Sequence, residues 1–146
     1  MENKQIKNEM KEKKQVAPIH HTGAVLAYIG DAVYELEVRK LLIAKGYYRG
    51  NRLHKEAIRR VNAPMQSRLI TEMLDSLTDE EYEVFKRGRN TKPKYIPKQA
   101  NVTEYTNSSG FEAVVGYCYL MGDQERIQEI MNRLEELIEE GERKPQ

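Results

Sequence analysis

Leu26-Ala27-Tyr28-Ile29-Gly30-Asp31-Ala32-Val33-Tyr34-Glu35-Leu36 is an oily run with a carboxylate set in its middle. From about Thr22 to Ala44 the apolar residues Val25, Leu26, Ile29, Val33, Leu36 and Leu41 recur at helical spacing, and Gly46 supplies a stop. The spacing predicts one long, mostly buried helix. An ionised carboxylate near a core is costly unless it meets a cation or hydrogen bonds, so Asp31 needs a reason to be there. A second stretch, Gly110-Phe111-Glu112-Ala113-Val114-Val115-Gly116-Tyr117-Cys118-Tyr119-Leu120, repeats the pattern with Glu112 as its only charge. Two isolated acids on two apolar helices have the look of half a divalent-metal site.

Plainer roles exist for both acids. A buried aspartate commonly caps a helix or pairs with arginine. Ser109-x-x-Glu112 fits a capping box, which would turn the glutamate toward a backbone amide and leave it less capacity for a metal. Glu35, one turn after Asp31, is open to two readings, an outer partner of a metal or a member of a salt bridge.

Outward from these two stretches the chain continues to read as helix. Asn51 to Val61 forms a shorter helix with a basic face of Arg52, Lys55, Arg59 and Arg60, and Pro64 suits the first turn of the next, which runs to about Leu74. Thr78 with Glu81 is a capping-box pattern for a helix ending near Gly88. Asn90 to Thr106 holds Pro93 and Pro97 and reads as a loop, so the Glu112 helix is expected to open at Ser109 and to stop at Gly122. Asp123 then caps a last amphipathic helix with Ile127, Ile130, Met131, Leu134, Leu137 and Ile138 on one side. No segment alternates like a strand and no repeat is visible. The fold class is all-α, with a charged flexible tail over 1–16, one domain over 17–141 and a short tail over 142–146.

With 146 residues, 39% hydrophobic and 32% charged, the chain has the size and balance of one globular domain. Cys118 is the only cysteine, which excludes a disulfide framework within the chain and points to a reducing compartment, hence the cytoplasm. No apolar run approaches the roughly 20 residues of a membrane span. The net charge of +1 conceals a lopsided distribution. Lys86, Arg87, Arg89, Lys92, Lys94 and Lys98 fall in a stretch without acids, whereas Asp123 to Glu142 is strongly acidic. Such a basic stretch suits a polyanion, and Arg87-Gly88-Arg89-Asn90 offers fork-shaped donors on a backbone that Gly88 can bend. His20, His21 and His54 form no cluster, and Tyr95 beside Lys94 is an exposed candidate for sugar or phosphate contact.

Leu26 to Val33 resembles the signature helix of the ribonuclease III catalytic domain, and Phe111 to Leu120 resembles that family's second acidic helix. With its short length and no second domain, the chain is most similar to Mini-ribonuclease III, the compact branch without a double-stranded RNA-binding domain. The resemblance implies a helical endonuclease domain in which Asp31 and Glu112 coordinate Mg2+ at the attacked phosphodiester. It implies a homodimer packed through the signature helices, double-stranded RNA as substrate, and a part in maturation of the large-subunit (23S) ribosomal RNA precursor. Duplex RNA is recognised through shape, phosphates and 2'-hydroxyls. Without a separate module those contacts are expected from Arg87, Arg89, Asn90, Lys92 and Lys94 and from Arg52, Lys55 and Arg59. The fuller family pattern carries two more acids, at positions that are Ala27 and Ser109 here, so the site is a reduced one. Small Ala27 and Gly116, one turn from the acids, are expected to leave room for metal and phosphate. The alternative from another class is a catalytically inert, ribonuclease III-like RNA-binding or ribosome-associated protein.

Overall fold

The computed structural model describes residue 4 and residues 15–91 and 95–143. Six α-helices follow a 3-10 turn at Pro18–His20: α1 (Gly23–Ala44), α2 (Gly50–Val61), α3 (Ala63–Met73), α4 (Asp79–Arg89), α5 (Val102–Leu120) and α6 (Gln124–Arg143). A second 3-10 turn, Leu74–Ser76, extends α3. The described residues contain no strand. The expected 1–16 tail lies, apart from residues 4, 15 and 16, outside the described residues, and α6 continues past the expected domain end to Arg143.

Local signals set most helix ends. Thr22 accepts from the Val25 amide to start α1, Asn62 does the same for Met65 ahead of Pro64, and Thr78 and Glu81 form the reciprocal capping box of α4. Asp123 accepts from the Arg126 amide at the start of α6. One helix start differs from expectation. α5 begins at Val102, capped by Asn101, and the Ser109 hydroxyl donates back to the Tyr105 carbonyl. Ser109 and Glu112 therefore form no capping box; they sit inside a helix, and the Glu112 carboxyl is left free for other work.

α5 is the hub. Phe111 and the run from Ala113 to Cys118 are buried on every side, because α1, α3, α4 and α6 all pack on this helix. Leu26, Val33, Tyr34, Val38 and Leu42 from α1 are buried in the same core, and Leu134, Leu137 and Ile138 from α6 help close it. Glycines allow the tightest approaches. A Cβ on Gly30 would overlap the carbonyl oxygen of Glu112, and one on Gly116 would overlap that of Leu26. The expectation that Gly116 leaves room for ligand is thus corrected, since its missing side chain admits the α1 backbone. Gly88 is corrected in the same sense: it lies within α4, where a Cβ would stand 2.7 Å from that of Ala113, so it seats α4 on α5 and bends nothing.

Candidate active site

The Gly30–Gly116 crossing positions the two acids. Gly30 precedes Asp31 directly, and the α5 backbone that presses on it belongs to Glu112 itself, so the two side chains leave their helices at one point. The carboxyl groups lie within hydrogen-bonding reach of each other. Burial, the hydrogen bond to Asp31 and the negative charges of Asp31 and Glu35 push the Glu112 carboxyl up to about 9. No salt bridge to Asp31, Glu35 or Glu112 occurs among the described residues. Asp31 and Glu112 meet with the charge of Glu35 acting on the latter and without a cationic partner among the described residues.

Asp31 is not the core residue its neighbours suggest. In the single chain it is exposed, as are Val25, Tyr28, Leu36 and Ile43, with Tyr28 84% accessible, so α1 shows an apolar face outward as well as inward. The acid stands at the border of that outward face and the α5 crossing. Glu112 is partly buried beneath it. Among the described residues no three His, Cys, Asp or Glu side chains are arranged to hold a metal by themselves. The donor set is a carboxylate pair, with Glu35 felt by Glu112 through its charge.

Packing behind the pair fixes its spacing. Tyr34, one turn after Asp31, meets Phe111, the neighbour of Glu112, edge to face at 5.0 Å. Its hydroxyl donates to the Arg60 carbonyl at 2.7 Å. Arg60 is buried and gives its guanidinium to Glu56 and, through two bonds of 2.9 and 3.0 Å, to Glu135. These partners hold the Glu56 and Glu135 carboxyls below the usual carboxylate range in spite of burial. Reading the sequence did not single out Arg60 as a core residue, because the partner that matters most lies 75 positions away on α6.

The cationic candidates fall into two groups. Arg87, Arg89 and Asn90 end α4, and Gly88 between them touches Ala113 and the Ser109 carbonyl, which flank Glu112 on α5. Arg87 is largely committed to structure: it donates to the His21 carbonyl at 2.9 Å, and its buried Nε lacks a hydrogen-bond partner. Arg89 lies over the Phe85 ring and Asn90 is exposed. Lys92 and Lys94 lie outside the described residues, and Tyr95 is exposed as expected. On α2, Lys55 is exposed, Arg52 leans over Tyr47, and Arg59 is drawn into ion pairs with Glu56 and Glu142.

Residues 24–123 match the Ribonuclease III domain family, a span that holds both acids and both glycines of the crossing. Relatives called Mini-ribonuclease 3 are 45% identical in Symbiobacterium thermophilum, over 85% of this chain and 95% of theirs, and 46% identical in Clostridium tetani, over 88% and 82%. The chain belongs to the Mini-ribonuclease III family. A crystal structure of a Fusobacterium nucleatum protein shares the fold, with a TM-score of 0.72 and 34% identity over 77% of this chain and 92% of that one. Mini-ribonuclease III is an endoribonuclease of ribonuclease III type, and this chain is therefore a hydrolase of RNA phosphodiesters. No helix among the described residues is long and apolar enough to cross a membrane.

Proposed function

We propose that this Mini-ribonuclease III uses Asp31 and Glu112 to hold Mg2+ and hydrolyses double-stranded RNA as a homodimer. One observation carries the reading: two carboxyl groups are forced together at a helix crossing with no protein cation to offset them. Oxygen donors of like charge fit a hard divalent cation, which usually keeps several waters and takes one or two carboxylates. Bound there, the ion supplies a water of lowered pKa and Lewis acidity toward the phosphate. The chain's own residues do the rest. Gly30 and Gly116 fix the distance between the acids, Tyr34 and Phe111 hold their helices in register, and Arg89, Asn90, Lys92, Lys94 and, from α2, Arg52, Lys55 and Arg59 offer donors to the RNA backbone. Arg87 contributes there chiefly by holding the α1 start against α4.

The outward apolar face of α1 supports dimerisation through this helix, since Tyr28, Leu36 and Ile43 are left uncovered by the described residues. The free thiol of Cys118, buried in the core, suits a reducing cytoplasm. The substrate we assign is the large-subunit (23S) ribosomal RNA precursor, carried over from the family resemblance. A reduced site, with Ala27 and Ser109 in place of acids, also suits an inert RNA-binding relative. Incubating the purified protein with long duplex RNA, with magnesium and then with chelator, separates the two. Metal-dependent cutting by a dimer is expected; binding without cutting selects the inert relative.

A further inference from the structure

The turn between α1 and α2 carries Tyr47, Tyr48 and Arg49, which the duplex-cleaving reading does not use, beside Arg52, which it does. Gly46, at a φ of 95°, closes α1, and the Tyr47 amide returns to the Leu42 carbonyl at 3.1 Å. This closure fixes where the next residues point. Tyr48 then stands 79% exposed, with the Arg49 guanidinium 5.8 Å from the centre of its ring. Arg52 lies in the same way 5.3 Å from the Tyr47 ring. Gly46, Tyr47, Tyr48, Arg49 and Arg52 line a small hollow of about 110 Å³. From Gly46 to Lys55 the chain has three cations and no acid, and Arg49 makes no ion pair among the described residues. The nearest acid in sequence, Glu56, is taken up by Arg59 and Arg60, with Arg52 at 3.7 Å.

An exposed tyrosine backed by arginine contributes little to a core. It is well made for stacking. Every base has a π-face that an aromatic ring can cover, and a guanidinium held on the ring's other side presents its fork to phosphate. Bases inside a duplex are already stacked on one another, so away from the duplex ends the face open to the ring is that of an unpaired nucleotide. Along α1 the turn lies some 13 residues beyond Asp31, roughly 20 Å at 1.5 Å per residue, which is outside the cleavage site of the same chain. We infer that Tyr48 and Arg49, with Tyr47 and Arg52, form a stacking site for an unpaired nucleotide flanking the duplex. The inference rests on the proposed action on duplex RNA, and gives the enzyme a preference for duplexes that carry single-stranded flanks.

The test measures binding of the full chain in EDTA to a blunt RNA duplex, to the same duplex with a short single-stranded extension, and to the extension alone. A 2-aminopurine occupies the first unpaired position. The extension is expected to tighten binding about tenfold, the effect of one stacked base, and to quench the probe. Tyr48→Ala removes the gain and the quenching and leaves blunt-duplex affinity unchanged; Tyr48→Phe keeps both, and Arg49→Gln loses part of the gain. Equal affinity of the wild type for the two duplexes overturns the site. So does an equal loss on both duplexes in Tyr48→Ala, or a change of its mass in light scattering, which would assign the ring to a contact between copies. Failure of the blunt duplex to bind at all counts against the proposed function, and Tyr48-dependent quenching of the extension alone would then still uphold the site.

Discussion

Replacing Glu112 by Gln removes the ionisation that the α1–α5 crossing disfavours and keeps the side chain's size and its ability to donate to Asp31. The metal-free protein should become more stable. Glu112 titrates near 4.5 in an open chain and at about 9 in the fold, so at neutral pH unfolding releases its proton. A raised native pKa means that the stability held below pH 4.5 is lost as pH climbs toward 9. At pH 7 the loss is at most about 3.5 kcal/mol, from roughly 2.5 pH units at about 1.4 kcal/mol each. Glu112→Gln has no such loss, so urea unfolding in EDTA should place it above wild type by up to that amount at pH 7, with the two converging near pH 4.5. Magnesium should raise the midpoint of wild type and leave the variant unmoved, while cleavage of duplex RNA disappears in the variant. If Glu112→Gln is less stable than wild type at pH 7, the carboxylate serves a structural pair. If it still cuts, Glu112 is not a metal ligand.

Gly116→Ala drives a methyl group into the Leu26 carbonyl, so α1 and α5 must separate; thermal melting should fall by several degrees, and activity should fall further than stability accounts for when measured well below the melting point. Glu56, Glu81 and Glu135 are held below the usual carboxylate range by Arg59, Arg60 and Arg126, so the stability they bring is present above about pH 4.5 and is lost as pH falls through their native values. Set against the opposite slope of Glu112, this predicts a metal-free stability maximum on the mildly acidic side of neutral, readable from melting curves across pH. Arg89→Ala should weaken duplex binding and flatten its salt dependence with little change in melting temperature, whereas Arg87→Ala should cost stability as well, because it releases the His21 carbonyl. Equal melting losses in the two variants would show that the clamp on His21 carries no weight.

The parts of this fold legible in the sequence are those whose causes are local. The Thr78–Glu81 box and the cap at Asp123 each involve residues three apart, and the structure forms both. The start of α5 was illegible because Val102-Thr103-Glu104-Tyr105-Thr106 is rich in β-branched residues with weak helix propensity, while Ser109 imitates a cap. The Asp31–Glu112 pairing could be anticipated as two charges out of place, and the structure adds that they meet. That Asp31 faces outward could not be anticipated from periodicity. α1 is apolar on most of its circumference, so the pattern cannot say which face meets the core of the same chain and which is left for another surface. Arg60 escaped for the opposite reason: it sits on a helix face read as basic and solvated, yet Glu135, far along the chain, makes its burial tolerable.

The acid pair and the glycine pair are one device. A glycine inside a helix costs about 0.5 to 1 kcal/mol relative to alanine, and burial beside Asp31 pushes the Glu112 carboxyl up to about 9. Together the two pairs place two oxygen-bearing groups from different helices closer than side chains of ordinary size would allow, on a scaffold whose buried Tyr34, Phe111 and Arg60 prevent the repulsion from relaxing by sliding. Under the proposed function, a divalent cation bound between Asp31 and Glu112 would offset the unfavourable pairing that this packing holds in place. The glycines at positions 30 and 116 are explained by the close approach of the two backbones, whereas packing gives no use for acids at positions 31 and 112.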